Sequence, residues 1–244
     1  MALAWRLHRS MLFFWIIIFV LMGLSAGFLA QSVIDIINTS PQFAALVYNL
    51  GGNAGLEDSY FTMFLGFLGD IIAFYAILAT LKLHSQETKK YSELLLTTSV
   101  TRTQWSVSNL IFGVLAPAIV LIIFALSMGL SYDLITNNLS DITIRIIGAS
   151  LVYLPAIWIF TGISMILFGL LPRLASLSWA ALAVIVIIDL MGQIFDISQW
   201  ILNISPFTHV PQLLAGDTIE TSFILLPVVA LLLIIIGVLG YQRR

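Results

Sequence analysis

The sequence predicts an all-α, polytopic membrane protein with six transmembrane helices, both termini cytoplasmic. Composition, long apolar runs and charge placement carry that expectation. Of 244 residues, 60% are hydrophobic and only 9% charged, whereas a soluble domain is roughly 45–50% apolar and about 25% charged. Too little charge remains to wet a soluble surface, which excludes an ordinary cytosolic enzyme, a nucleic-acid binder and a disordered chain. Mean hydropathy is +1.07. A net charge of −2 advertises no polyanion or polycation partner, and the partner the composition does imply is the lipid bilayer. With no cysteine, disulfides and thiolate-bound metals are excluded.

A bilayer core about 30 Å thick takes about 20 apolar residues of helix. Six runs meet this: residues 11–30, 61–83, 110–130, 147–171, 177–195 and 223–241. Four contain no charge, the second holds Asp70 with Lys82 at its end, and the fifth holds Asp189. Barrel strands would be about ten residues long and would alternate. The first run follows Arg6 and Arg9, as a signal peptide would. Its apolar stretch, however, exceeds the usual 7–15 or so residues of a signal core. Candidate caps flank the runs: Asp58 or Ser59, the Thr101–Gln104 capping box, Ser140 or Asp141, Ser176, and Thr221 or Ser222.

Charge fixes the orientation. With the N-terminus inside, Arg6, Arg9, Lys82, Lys89, Lys90, Arg102, Arg173, Arg243 and Arg244 are cytoplasmic, and of the ten basic residues only Arg145 is outside. The acids mirror this, with Glu87 and Glu93 inside and eight others outside. The expected organisation is one six-span domain over residues 1–244 of the cell membrane.

The longest cytoplasmic connection joins the second and third spans. It opens polar, and then Tyr91, Leu94 and Leu95 fall at i, i+3 and i+4 before Thr97, Thr98 and Ser99 break the pattern. This predicts a short amphipathic helix along the inner surface. It is either an interfacial anchor or a docking element for a soluble partner.

At these residues the chain resembles the type-two ABC exporter permeases, whose cytoplasmic segment carries a pattern like E-x-x-x-G-x-x-E-L-L-L-x-x-P-V-S-R. Glu87 stands at the leading acid, Glu93, Leu94, Leu95 and Leu96 at E-L-L-L, Val100 and Arg102 at V-x-R, and Trp105 at a following aromatic. Tyr91 replaces the usual glycine and Ser99 the usual proline. The likeness is strongest to the second half of the polyketide-antibiotic exporter branch. The opening Ala4–Ser10, the stretch from Ser205 to Gln212 and the closing Gly240–Arg244 fit that branch as well.

The resemblance implies a permease subunit that couples ATP hydrolysis by a separate ABC ATPase to outward movement of a hydrophobic or amphipathic compound. It makes Glu87, Lys89, Lys90, Tyr91, Glu93, Leu94, Leu95, Leu96, Val100 and Arg102 the ATPase contact, through a coupling helix. It also implies a second permease half: a separately encoded first half, a second copy, or the rest of a longer polypeptide. It makes the 196–222 connection an extracellular gate. That connection's apolar residues, Trp200, Ile201, Ile204 and Phe207, predict a short helix or re-entrant turn with Trp200 at headgroup level.

This chain carries no G-x-x-x-x-G-K-[ST] loop, so ATP would be bound by the partner and no cofactor is expected here. No H-E-x-x-H is present, and Gly148-Ala-Ser150 lacks the second glycine of a serine-nucleophile motif. Asp70 and Asp189 are the costly residues, at roughly 2.5–3.5 kcal/mol each at mid-bilayer. Two readings stand for them: a translocation pathway that meets a cationic or polar group, or protonated or hydrogen-bonded packing. A proton- or ion-coupled secondary transporter is the alternative mechanism they would support. Gly23 and Gly27 form a G-x-x-x-G pair for close packing, within the subunit or across a dimer. Pro117 and Pro155 predict kinks in the third and fourth spans.

Overall fold

The chain was analysed as a computed structural model, which describes residues 2–52, 55–88, 102–136, 141–194, 198–219 and 221–242. Regular structure among them is entirely helical. In chain order the helices are α1 (Ala2–Thr39), α2 (Pro41–Gly51), α3 (Leu56–Thr88), α4 (Arg102–Thr136), α5 (Ile142–Leu151), α6 (Leu154–Leu170), α7 (Leu177–Ile194), α8 (Gln199–Leu202) and α9 (Thr221–Gln242). Short 3₁₀ turns occupy Pro172–Leu174, Pro206–His209 and Leu213–Ala215.

The described residues of the expected apolar runs are largely helical, the fourth run being shared between two helices. Five stretches are long and apolar enough to cross a membrane: Trp5–Thr39, Leu56–Lys82, Ser108–Thr136, Ile142–Leu170 and Phe223–Gln242. The run expected as the fifth span lies in a shorter apolar helix, Leu177–Gly192. Together these make a multi-pass membrane protein. α1 outruns its apolar core because Gln31 and Asp35, a turn apart, interrupt the apolar run without breaking the helix; their side chains meet at 3.4 Å. α2 was not anticipated from the sequence. Ser59 was a candidate cap, but instead its hydroxyl donates to the Gly52 carbonyl (2.5 Å), tying the end of α2 to the start of α3. Asp141 stands at the N-cap of α5 without a side-chain capping bond.

The prolines act differently from one another. At Pro155 the fourth run divides: α5 ends at Leu151 and α6 starts at Leu154. Val152 and Tyr153 keep near-helical backbone angles, so the axis tightens rather than turns back. Pro117 lies inside the continuous α4. Its missing N–H would have met the Gly113 carbonyl four residues earlier. That carbonyl accepts from the Thr161 hydroxyl of α6 (3.1 Å), and the adjacent Val114 carbonyl accepts from Trp158 Nε1 (3.0 Å). A neighbouring helix thus satisfies the carbonyl that proline leaves free.

α3 is the central rod, packed against α4, α6 and α2. The main core joins Phe19 of α1, Phe61, Leu65 and Ile72 of α3, Phe124 and Met128 of α4, and Ile146 and Ile157 beyond. Glycine sets two of the closest contacts. A methyl at Gly23 or Gly27 would overlap Ser127 and Ser131 of α4, so the G-x-x-x-G pair packs within the subunit. Gly169 meets Gly237, which draws α9 onto α6.

The helix ends sort by charge. The starts of α1 and α4 and the end of α3 meet: the Lys82 ammonium donates to the Leu7 carbonyl, and His8 Nε2 bonds Asn109 Oδ1 (3.0 Å). Leu7 and Leu110 also pack on Phe168 and Tyr241, bringing the ends of α6 and α9 to the same side. Arg145 of α5 lies at the opposite ends, paired with Asp58 of α3 at 2.9 Å.

Candidate functional site

The expected ATPase contact falls mostly outside the described residues. Glu87 sits in the last turn of α3 and Arg102 is the first residue of α4. Lys89, Lys90, Tyr91, Glu93, Leu94, Leu95, Leu96 and Val100 lie outside them, as does the amphipathic helix they were expected to form. What the structure does place is the frame of that segment. Both helices that bracket it are fastened to consecutive residues of α1, Leu7 and His8. The His8 ring also stacks on Phe112 of α4 (4.6 Å between centroids).

The two intramembrane acids come together. Asp70 of α3 and Asp189 of α7 line one cavity of about 200 Å³, closed over by the 198–219 segment. Their environments differ. The Ser205 hydroxyl, fully buried, donates to Asp189 Oδ2 at 2.9 Å. The same Ser205 oxygen accepts from the Phe207 N–H (3.2 Å) and so caps the Pro206–His209 turn. Asp70 Oδ1 is buried and has no hydrogen-bond partner among the described residues. Asp189 is thus hydrogen-bonded through one oxygen, while Asp70 lines the same cavity with Oδ1 unbonded among the described residues.

Sequence reasoning missed three other parts of this site. Tyr153, only 5% exposed, stands at the tightened turn before Pro155 and faces the cavity. Its hydroxyl lies over Gly66, where an added Cβ would be 4.0 Å away. Phe207 presses on Gly69, and Thr62 and Gln212 complete the polar lining. Tyr153 carried one weak signal, a polar residue two places before an intraspan proline. The 196–222 connection was expected to hold a short helix or re-entrant turn. It forms α8 and two 3₁₀ turns, and it sends Ser205 and Phe207 inward while Trp200 stays 69% exposed.

Phe207 also stacks on Phe160 of α6 (5.7 Å, 19°). Phe160 lines a second, open groove of about 710 Å³ between α6, α7 and α9, with Val184, Ile185, Leu226 and Val229 on its walls. One aromatic pair therefore stands between a polar cavity and an apolar groove. Ser150 and His209 do not form a nucleophile and base. Ser150 donates to the Ile147 carbonyl within its own helix (2.8 Å), and His209 engages the Asn203 carbonyl (3.1 Å).

Comparison with known proteins finds a relative and a family. Over 242 residues the chain is 30% identical to the multidrug efflux system permease protein Rv1217c of Mycobacterium tuberculosis (strain ATCC 25618 / H37Rv). That alignment covers 99% of this chain and 44% of the relative, so the chain spans less than half the relative's length. Residues 1–242 match the family described as multidrug efflux system permease Rv1217c, C-terminal domain. A C-terminal domain is where the resemblance to the second half of a type-two ABC exporter permease places it, and the chain belongs to this permease family.

Proposed function

We propose that this chain is a membrane-spanning permease part of an ATP-driven exporter that moves a hydrophobic or amphipathic, drug-like compound outward. The observation that carries the reading is the match of residues 1–242 to the C-terminal domain of a multidrug efflux permease. A separate ABC ATPase would hydrolyse ATP and dock on residues 87–102. The fastening of α3 and α4 to α1 supports this, because it gives that segment a stiff base. The first permease half would come from a separate chain, a second copy, or the same longer polypeptide. The full arrangement is one six-span unit in the cell membrane. The gathering of Arg6, Arg9, Lys82 and Arg173 toward one set of helix ends supports cytoplasmic termini.

Glu93→Arg and Leu95→Asp test the docking. Each is expected to uncouple ATP hydrolysis from transport while membrane insertion stays normal. Normal export by both, with the ATPase still co-purifying, would sink the assignment. The second reading is a proton- or ion-coupled secondary transporter, favoured by the placement of Asp70 and Asp189 in one cavity. Transport into inverted vesicles separates the two. Flux that needs ATP and ignores an uncoupler supports the exporter, and the reverse supports the coupled carrier.

A further inference from the structure

We infer that the cavity between α3, α7 and the Tyr153 turn seats the protonated primary amine of an amphiphile. The inference rests on the permease reading and names the substrate class of its intramembrane site. Three acceptors converge there. Asp70 Oδ1 is buried without a partner. Asp189 lines the same cavity and accepts from Ser205 through Oδ2. The Tyr153 hydroxyl, on a side chain 5% exposed, has no hydrogen-bond partner among the described residues. No lysine, arginine or histidine is in the lining to neutralise the acids.

An alkylammonium supplies what is missing. It brings three N–H donors and one positive charge, matching three oxygen acceptors in a site where an unpaired carboxylate is costly. Size points the same way. Drug-sized ligands occupy roughly 300–1,000 Å³, so a cavity of about 200 Å³ takes a head group rather than a whole compound. Beside the polar groups the lining has an apolar part, with Met63, Phe67 and Leu190 in it, and Phe207 is the aromatic face that joins it to the groove. An ammonium with an apolar tail fits this division, whereas an inorganic cation would engage the acids alone and leave the apolar groove beyond Phe207 unused.

The test uses the full chain in phosphatidylcholine nanodiscs, with neither nucleotide nor ATPase, and radiolabelled dodecylammonium as the probe. Saturable binding above that of protein-free nanodiscs is expected. Dodecyltrimethylammonium, equally charged but without N–H donors, should compete about tenfold less well, and dodecanol not at all. Asp70→Asn should weaken binding about thirtyfold, with Asp70→Glu restoring most of it. Tyr153→Phe should cost about tenfold for dodecylammonium and leave dodecyltrimethylammonium unchanged.

No saturable binding by the unaltered chain, equal competition by the trimethylated probe, or indifference to both substitutions would overturn the inference. Should Asp70→Asn fail to fold, the probe selectivity of the unaltered chain and of Tyr153→Phe still decides. The two readings fail separately. ATP-driven vesicle flux without amine binding rejects the head-group site alone. Amine binding with flux that needs no ATP rejects the exporter alone.

Discussion

At the scale of single residues, Thr161 shows how a neighbour repairs what a proline removes. Pro117 cannot donate to the Gly113 carbonyl, and the Thr161 hydroxyl does so at 3.1 Å from a fully buried position. In hydrocarbon no water can replace it. Thr161→Val is therefore expected to lower stability by about 1 kcal/mol. The loss should shrink when Pro117→Ala restores a backbone donor to the same carbonyl. A double-mutant cycle by reversible unfolding in mixed micelles measures this, and equal losses in both backgrounds would contradict it. The kink at Pro117 was legible in the sequence, because proline's chemistry is local. Its partner was not, since nothing in an apolar run says which helix arrives alongside. Asp70 and Asp189 stood out for the same local reason, as charges in spans. Tyr153 did not, because a tyrosine carries no charge and an apolar run absorbs it without a break in pattern. Its place in the site comes from the tightened turn and from α3 passing beside it.

At the scale of elements, close approach between helices is set by glycines that face backbone. Gly27 meets the Met128 carbonyl as well as the Ser131 hydroxyl, and Gly237 meets the backbone of Met165 and Ile166. Backbone cannot swing aside as a side chain can. Gly27→Leu and Gly237→Leu should each destabilise the chain by roughly 2 kcal/mol or more through overpacking. Gly148→Ala is the contrast, because a methyl there meets nothing within 4 Å. It should be neutral or slightly stabilising, by less than about 1 kcal/mol through helix propensity. Chemical unfolding of the three variants settles the order. The Gly23–Gly27 spacing was visible in the sequence, while the choice between a dimer and an internal contact depended on where α4 lies. Gly169 and Gly237 sit in different spans and share no short motif, so only the packing of α9 on α6 pairs them. Helices were legible wherever apolar runs were long. α2 was not, because eleven residues in a connection carry too little pattern.

At the scale of the whole molecule, the two ends of the bundle are fastened by different chemistry. The Arg145–Asp58 pair has a side chain 50% exposed on the arginine side. Screening by solvent leaves Arg145→Ala a loss below about 1 kcal/mol. At the other end His8 is fully buried, bonded to Asn109 and stacked on Phe112. His8→Ala strips both contacts and opens a void, and about 2 kcal/mol is the expected loss. Thermal unfolding of the two variants in one detergent gives the comparison, and a larger loss for Arg145→Ala would reverse it. Charge placement forecast which helix ends belong together. The bonds that join them run from Lys82 to a backbone carbonyl and between a histidine and an asparagine, partners that no charge rule names.

The fastening at Leu7 and His8 has a mechanical side. α1 has 38 residues, and at about 1.5 Å of rise per residue it is a rod about 57 Å long. Gripped near its first turns by α3 and α4 together, it is clamped again where Gly23 and Gly27 lie against the backbone of α4. Tyr60 of α3 holds the rod again at the Ala26 carbonyl (2.8 Å). Held at both places, the rod passes a push at the basic end along its axis rather than by swinging, toward the acidic end where α1 hands over to α2.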